Sequence, residues 1–383
     1  MSNQQRIDWK TVFKIGGAYA AYHIGAGFAS GQETMQYFGT FGGIYPLVLP
    51  LIIFAVVVIY SISNYRVGAT EQFEDPNMAF EYYCGATLGK ILNIFTNFTI
   101  ALTSLVMFAG AGATVNQYIG APIWVGAVLI GVISAFVVCL GLEKVTNVLG
   151  GCGVLIIALM ALVGIYSFIT ADVSIMEGQQ RILEYVEQGI FLQAQAFGGH
   201  NPILTTISFA GLGLGLILTF NVSLGKSCTN MKTCVASSIC AAAFYVIGIC
   251  TVLFTMLLNL DYIAEIGAKV PMLAAVAKVI PFLELPYTII VLIGVFTTIA
   301  GYLWTVGRRC GEDKSLRQRV VVIVLAAIGT TVGSMIPLDR LVNILFPIMG
   351  YIGIVIFVLV VITEVKMKAS RKPFPEKAGK ETD

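Results

Sequence analysis

The chain has 383 residues, of which 57% are hydrophobic and 11% charged, with a net charge of +2 and a mean hydropathy of +0.86. Soluble domains average roughly 45–50% apolar and about 25% charged residues, so this chain cannot cover a water-facing surface. That excludes an ordinary cytosolic enzyme and a disordered chain, and the near-zero net charge gives no field for a polyanion such as nucleic acid.

Ten apolar runs are each long enough to span a bilayer, over approximately 11–39, 44–66, 89–117, 122–140, 145–170, 203–225, 233–258, 286–307, 319–338 and 341–364. Polar residues 1–10 precede the first run, which lacks the short core and cleavage site of a signal peptide. The first run carries His23 and then the stretch Gly25-Ala26-Gly27-Phe28-Ala29-Ser30-Gly31, with Gln32 and Glu33 directly after it. Glu33 is the one acidic residue deep in a span, and an intramembrane carboxylate is a functional candidate by default. It could hold a substrate ammonium, relay a proton or gate the outer path; alternatively, it ties the strand to its neighbours. His23, with its ordinary titration near neutrality, is a second proton-coupling candidate, although a lone membrane histidine is more often a packing residue.

Span two is followed by an amphipathic stretch, 75–88. Span three carries a polar stripe of Asn93, Asn97 and Ser104, with Thr103 beside it; Asn97 and Thr103 are its substrate-side candidates, and Asn116 and Gln117 stand near its outer end. Between spans five and six, residues 176–197 place Ile182, Leu183, Val186, Ile190 and Phe191 on one side. Arg181, Glu184 and Glu187 mark this segment as an interfacial helix rather than an eleventh span. His200 follows in the loop.

Span six carries Phe209 and then Gly211, Gly213 and Gly215 near its middle, mirroring the glycines of span one. Span seven, like span two, is followed by an amphipathic stretch (261–282). Span eight holds the adjacent hydroxyls Thr297 and Thr298, with Gly294 upstream. The tail, 365–383, is lysine- and proline-bearing and reads as disordered.

With both termini in the cytoplasm, nineteen of the 23 basic residues lie in inside segments. Only Arg181, Lys269, Lys278 and Arg340 fall outside. None of the 8 cysteines sits in an expected outside loop, so no disulfide framework is implied. Cys228 and Cys234 have poor zinc spacing. The spans divide into two sets of five, residues 11–170 and 203–364, joined by 171–202. An odd number of spans per set makes the second an inverted copy of the first.

The paired glycine clusters predict that helices 1 and 6 are broken at the membrane midplane, although each also fits close helix packing through small-xxx-small spacing. Breaks free backbone groups, which must then line a protein cavity. Freed N–H groups attract a carboxylate and freed carbonyls a cation. Such a site would be lined by Gly25, Ala26, Gly27, Ser30, Glu33, Asn97, Thr103, Phe209, Gly211 and Gly213.

The stretch Gly25 to Glu33, together with Gly211 to Gly215, resembles the YkvI family of bacterial membrane proteins, related to sodium-coupled branched-chain amino acid symporters within the amino acid–polyamine–cation superfamily. The resemblance implies an all-α membrane protein of the LeuT fold, ten transmembrane helices in a 5+5 inverted repeat, over about residues 10–365. It further implies alternating access, with spans 1, 2, 6 and 7 rocking against 3, 4, 8 and 9. It also implies a sodium ion held by the carbonyls of Ala21, Ile24 and Gly294 and the hydroxyls of Thr297 and Thr298. Hydroxyl and carbonyl oxygens suit a hard cation; alternatively, the two threonines bond back to their own helix. Phe28 stands near where neurotransmitter-type members carry an asparagine for a second ion, which argues against that second site.

The expected function is therefore secondary active transport at the cell membrane: sodium-coupled symport of a small amino acid or related zwitterion or amine, with no other cofactor. Lipid and a small molecule are the expected partners. Proton coupling, and a metabolite sensor built on the same fold, are the alternatives. A channel would need filter loops or charged rings that are not seen. An enzyme would need a catalytic motif, and none is present. Gly225-Lys226-Ser227 has Phe220 where a P-loop requires glycine, so ATP-driven transport is not expected.

Overall fold

Long apolar runs become helices in lipid because every backbone N–H and C=O must be paired within its own segment. The computed structural model describes residues 6–23, 25–140, 158–171, 173–312, 314–367 and 372–374, without the side chains of Ala21, Ala26, Arg308 and Arg309. Among these residues, eight helices are long and apolar enough to cross a membrane. They are α4 (Tyr45–Glu71), α6 (Ala86–Ile119), α7 (Ile123–Leu140), α10 (Pro202–Gly225), α11 (Met231–Leu258), α14 (Glu284–Cys310), α15 (Leu316–Met335) and α16 (Leu338–Lys366). Each coincides with an expected span to within a few residues. Large outward side chains such as Phe98, Phe136 and Phe168 are more than half exposed, the pattern of a surface facing lipid rather than water.

The first expected span is built from three pieces, α1 (Trp9–His23), α2 (Ala26–Ser30) and α3 (Gln32–Tyr37). Gly25 is extended, at φ −101° and ψ −173°, and its N–H donates to the carbonyl of His23 at 3.0 Å. Between α2 and α3, Gly31 adopts φ +86°, a left-handed conformation that glycine enters without steric cost. A Cβ there would also strike the sulfur of Met256. Ser30 Oγ bridges the joint, donating to Gly27 O at 2.8 Å and accepting from Gln32 N at 3.2 Å.

Of the fifth expected span only α8 (Ala158–Thr170) is described; residues 141–157 lie outside the described residues. α9 (Ile175–Glu187) leaves α8 at 100°, so it is a separate helix. It starts at a capping box in which Ser174 Oγ accepts from Glu177 N while Glu177 accepts from Ser174 N. Those bonds hold the exposed Glu177 carboxyl below the usual carboxylate range. The cap therefore supports α9 above the usual range and is lost as pH falls through the lowered value. α9 buries Gly178, Gln179 and Ile182. It stops at Glu187, before Ile190 and Phe191, so the continuous apolar face expected over 176–197 is cut short. Short helices α5 (Met78–Cys84), α12 (Leu260–Glu265) and α13 (Pro271–Val279) fall in the two amphipathic stretches expected after spans two and seven.

α10 corrects the sequence reading. It runs unbroken through Gly211, Gly213 and Gly215, capped at its start by Asn201 Oδ1, which accepts from Ile203 and Leu204 N–H. Two of its glycines serve packing. Gly211 lies against the carbonyl of Gly350 on α16, Gly353 of α16 lies against the carbonyl of Gly211, and a Cβ on Gly215 would stand 3.3 Å from Gly353 Cα. Small residues at such a crossing let two backbones approach closely.

Across the bundle, α1 packs on α11 and α10 on α4, while α6 packs on α14 and α7 on α15. At the end where α1 begins and α16 finishes, Asp8 N donates to Thr233 Oγ1 at 3.2 Å, and Arg66 of α4 pairs with Glu364 of α16. The start of the tail, expected to be disordered, is docked there: Lys372 pairs with Glu71, and Phe374 packs on a cluster containing Ile15, Tyr65 and Cys234. Residues 368–371 and 375–383 lie outside the described residues.

Candidate functional site

Where α1 gives way to α2 and α3, a central cavity of about 50 Å³ opens between α1, α3, α6, α10, α11, α14 and α16. It gathers seven of the residues singled out from the sequence: His23, Gly25, Glu33, Thr103, Phe209, Gly213 and Thr298. Glu33, in the first turn of α3, is 8% exposed and folds back over Gly27, where a Cβ would collide with its carboxyl. Gly27 is thus glycine to make room for the acid. His23 Nδ1 lies 3.0 Å from the carbonyl of Tyr19. A carbonyl only accepts, so Nδ1 carries the proton and Nε2 is turned toward Gly213, where a Cβ would be 3.0 Å away. Tyr19 stacks on the imidazole and Tyr245 packs against it at a tilt, each with its ring centre 4.5 Å away.

On one side the cavity shares a wall, formed by Tyr22 and Leu216, with a wide cavity of about 690 Å³. Tyr22 Oη donates to Leu216 O at 2.9 Å, and its ring stacks on Phe220 at 4.9 Å. The wide cavity opens near Asp75 and Asn77, at the end of the bundle where α1 begins and α16 finishes. On the other side Phe209 packs against Tyr37 at 5.1 Å and Phe38 at 5.2 Å. Beyond them α3 is tied down twice, with Gln32 Nε2 donating to Lys269 O at 3.0 Å and Gln36 Nε2 to Asp339 O at 2.9 Å. A third cavity of about 260 Å³, lined by Gln32, Lys269 and Asp339 among others, lies past this layer.

Several expected site residues lie elsewhere. Asn97 lines the wide cavity, not the central one, and its amide donates to the carbonyl of Asn93. It sits six residues from Thr103, and at 1.5 Å per residue that is about 9 Å along α6. Gly211 is in the α10–α16 contact. Ser30 is a joint residue. Asn116 and Gln117 bind the segment after α12: Lys269 Nζ donates to Asn116 Oδ1 at 3.1 Å, and Gln117 exchanges two hydrogen bonds with Val270. His200 is a loop residue near Gln195 and Ala194.

Thr297 and Thr298 both donate to Gly294 O, at 2.8 and 2.9 Å. Two donors occupy both lone pairs of that carbonyl, so in this arrangement it has none left for an ion. The hydroxyl oxygens keep lone pairs that can accept a cation, and Thr298 faces the central cavity. Ile24, another expected ligand, lies outside the described residues, as does the side chain of Ala26; of Ala21 the backbone alone is described.

The sequence reading missed Tyr22, Tyr245, Tyr302 and Phe346, whose rings complete the cavity wall. Tyr302 was within reach, since it follows Thr298 by one helical turn. Tyr245 carries no such mark.

No protein-family model matches the chain. It is 22% identical over 340 residues to the uncharacterised membrane protein YkvI of Bacillus subtilis, covering 88% of this chain and 91% of that one. Among solved structures it is similar to a manganese transporter of Eremococcus coleocola, with TM-score 0.57 and 15% identity over 95% of this chain and 82% of that one. It is also similar to a sodium-coupled sialic acid symporter in a substrate-bound outward-open state, with TM-score 0.57 and 14% identity over 91% and 78%. The chain is an all-helical membrane protein with the fold of these transporters, the LeuT fold that its first-span motif implied.

Proposed function

We propose that the chain is a secondary active transporter that moves a small amino acid or related zwitterion or amine by alternating access, coupled to sodium. The observation that carries this reading is the small central cavity beside the interrupted first helix, walled off from a wide cavity by Tyr22 and Leu216 and from the opposite side by Phe209 and Tyr37. A site reached from one side at a time needs two such barriers. In this reading ten spans form a 5+5 inverted repeat, with both termini and the wide cavity at the cytoplasmic side of the cell membrane. The exchanged pairings of α1 with α11 and α10 with α4 support the repeat, and the basic-residue bias supports the orientation. The sodium-coupled symporter among the similar folds supports the ion. Thr297 and Thr298 supply its hydroxyl oxygens, with backbone carbonyls of Ala21 and Ile24 completing the set. Gly294 can join only if a threonine hydroxyl turns away from it.

Proton coupling is the second reading, because Glu33 and the turned-in Nε2 of His23 both face the cavity. Melting of the purified chain in sodium, potassium and caesium chloride at equal ionic strength separates the two. A ligand that binds only the folded state stabilises it by about 2.7 kcal/mol at 100 times its dissociation constant. A saturable, sodium-specific rise is expected, abolished by Thr298→Ala and kept by Thr298→Ser, with the melting point in potassium unchanged in both. Equal melting in all three salts would reject sodium. Flux in proteoliposomes separates a transporter from a sensor.

A further inference from the structure

The central cavity has a one-sided chemistry. Among the described residues, no lysine or arginine lines it, and the one formal charge is Glu33. Three of the lining hydroxyls have spent their protons: Tyr22 on Leu216 O, Thr298 on Gly294 O, and Thr103 on Thr99 O at 2.9 Å with Met349 Sδ at 3.3 Å. Those three turn lone pairs toward the space, while Tyr245 and Tyr302 bring two further hydroxyls to the lining. The N–H of Gly25 is likewise taken by His23. Among the described residues, none donates a hydrogen bond to the Glu33 carboxyl, which is 8% exposed. That carboxyl lies against Gly27 at the start of α2, so the chain's own acid fills the place a ligand carboxylate would seek. Around this acceptor-rich point stand the rings of Tyr22, Phe209, Tyr245, Tyr302 and Phe346. Aromatic faces attract cations, and a ring of them around one carboxylate suits an ammonium group.

We propose that the central cavity selects a small organic ammonium, with Glu33 as its counter-charge and the aromatic rings as its cage, and that it does not read a ligand carboxylate. At about 50 Å³ the space admits a head of only a few non-hydrogen atoms. The inference rests on taking this cavity as the substrate site of the transporter proposed above; binding itself requires no transport.

The test uses the purified full-length chain in potassium chloride, with ethylammonium, ethanol, acetate and glycine as probes at equal ionic strength. Thermal stabilisation gives half-saturation, and concentration jumps on proteoliposomes adsorbed to a solid-supported membrane, repeated in sodium chloride, give charge movement. Ethylammonium is expected to stabilise the chain saturably, at a concentration at least ten-fold lower than glycine. Ethanol, its neutral counterpart of equal size, and acetate are expected to do nothing. Glu33→Gln is expected to raise the ethylammonium half-saturation at least ten-fold. The ethylammonium–ethanol contrast on the unaltered chain decides the matter even if that variant does not fold. Glycine binding more tightly than ethylammonium, or no probe binding, overturns the proposal. Glycine-driven current without ethylammonium binding overturns it while leaving the transporter reading standing. Ethylammonium binding without current in either salt supports it and counts against transport instead.

Discussion

Gly353→Ala is expected to cost about 3 kcal/mol of stability, seen as a large drop in melting temperature and loss of a monodisperse peak in detergent. The added methyl would collide with the carbonyl of Gly211. Neither side of that contact can step aside, because both are backbone in the middle of long helices. Overpacking of a well-packed site costs typically 1–3 kcal/mol and sometimes more, and a backbone-on-backbone clash belongs at the top of that range. Gly211→Ala meets the carbonyl of Gly350 and should behave alike. Gly215→Ala provides the internal contrast. Its methyl would sit 3.3 Å from Gly353 Cα, a distance that a few tenths of an ångström relieve, so a loss below about 1 kcal/mol is expected. Gly17→Ala, with open space around its Cβ, should stabilise α1 by roughly 0.5–1 kcal/mol, the ordinary helix gain over glycine. Equal melting of the Gly353 and Gly215 variants would show that the crossing of α10 and α16 can open.

The same glycines show what the sequence could and could not reveal. Span boundaries were legible because hydropathy and length follow directly from bilayer thickness. The interruption at Gly25 to Gly31 was legible because small residues coincide there with a serine that bridges the joint and an acid placed directly after it. Gly211 to Gly215 offered the same glycine density with no polar neighbours. What decided its role was a partner 139 positions away, Gly350, whose proximity no local pattern encodes. Depth along a helix was equally hidden. Asn97 and Thr103 read as equivalent polar positions on α6, yet one faces the wide cavity and the other the central one. Tyr22 and Tyr245, which wall the site, look like ordinary membrane aromatics in sequence. Only the packing of α1, α10, α11 and α14 turns them into a cage.

Glu364→Gln is expected to destabilise the chain by about 3–5 kcal/mol, although Glu364 touches neither the central cavity nor its barriers. Arg66 is 4% exposed and Glu364 18%, and the two side chains are paired across α4 and α16. Ser63 Oγ adds a hydrogen bond to the same carboxylate at 2.6 Å, and Tyr83 of α5 lies 2.7 Å from Ser63. Two of the three guanidinium nitrogens of Arg66, Nε and Nη1, have no partner among the described residues. Removing the carboxylate charge therefore leaves a buried cation with the hydroxyl of Tyr82 as its remaining side-chain partner. Burying an unpaired charge costs far more than the pair itself contributes. The double variant Arg66→Met with Glu364→Leu removes both charges at similar volume and should recover most of the loss. The exposed pair Arg181–Asp261, each 43% exposed, sets the scale at the other extreme, and Asp261→Asn should cost less than about 1 kcal/mol. Thermal unfolding of the three variants in detergent at moderate salt reads all three values. If Glu364→Gln melts like Asp261→Asn, water reaches Arg66 and the pair is a surface one. If the double variant is as weak as the single, the side chains matter for their packing rather than their charge. Either way the measurement bears on the proposed transport, because this network joins α4, α5 and α16 at the end of the bundle where the wide cavity opens beside Asp75 and Asn77. A loosened network there would expose the Tyr22–Leu216 barrier, the layer between that cavity and Glu33.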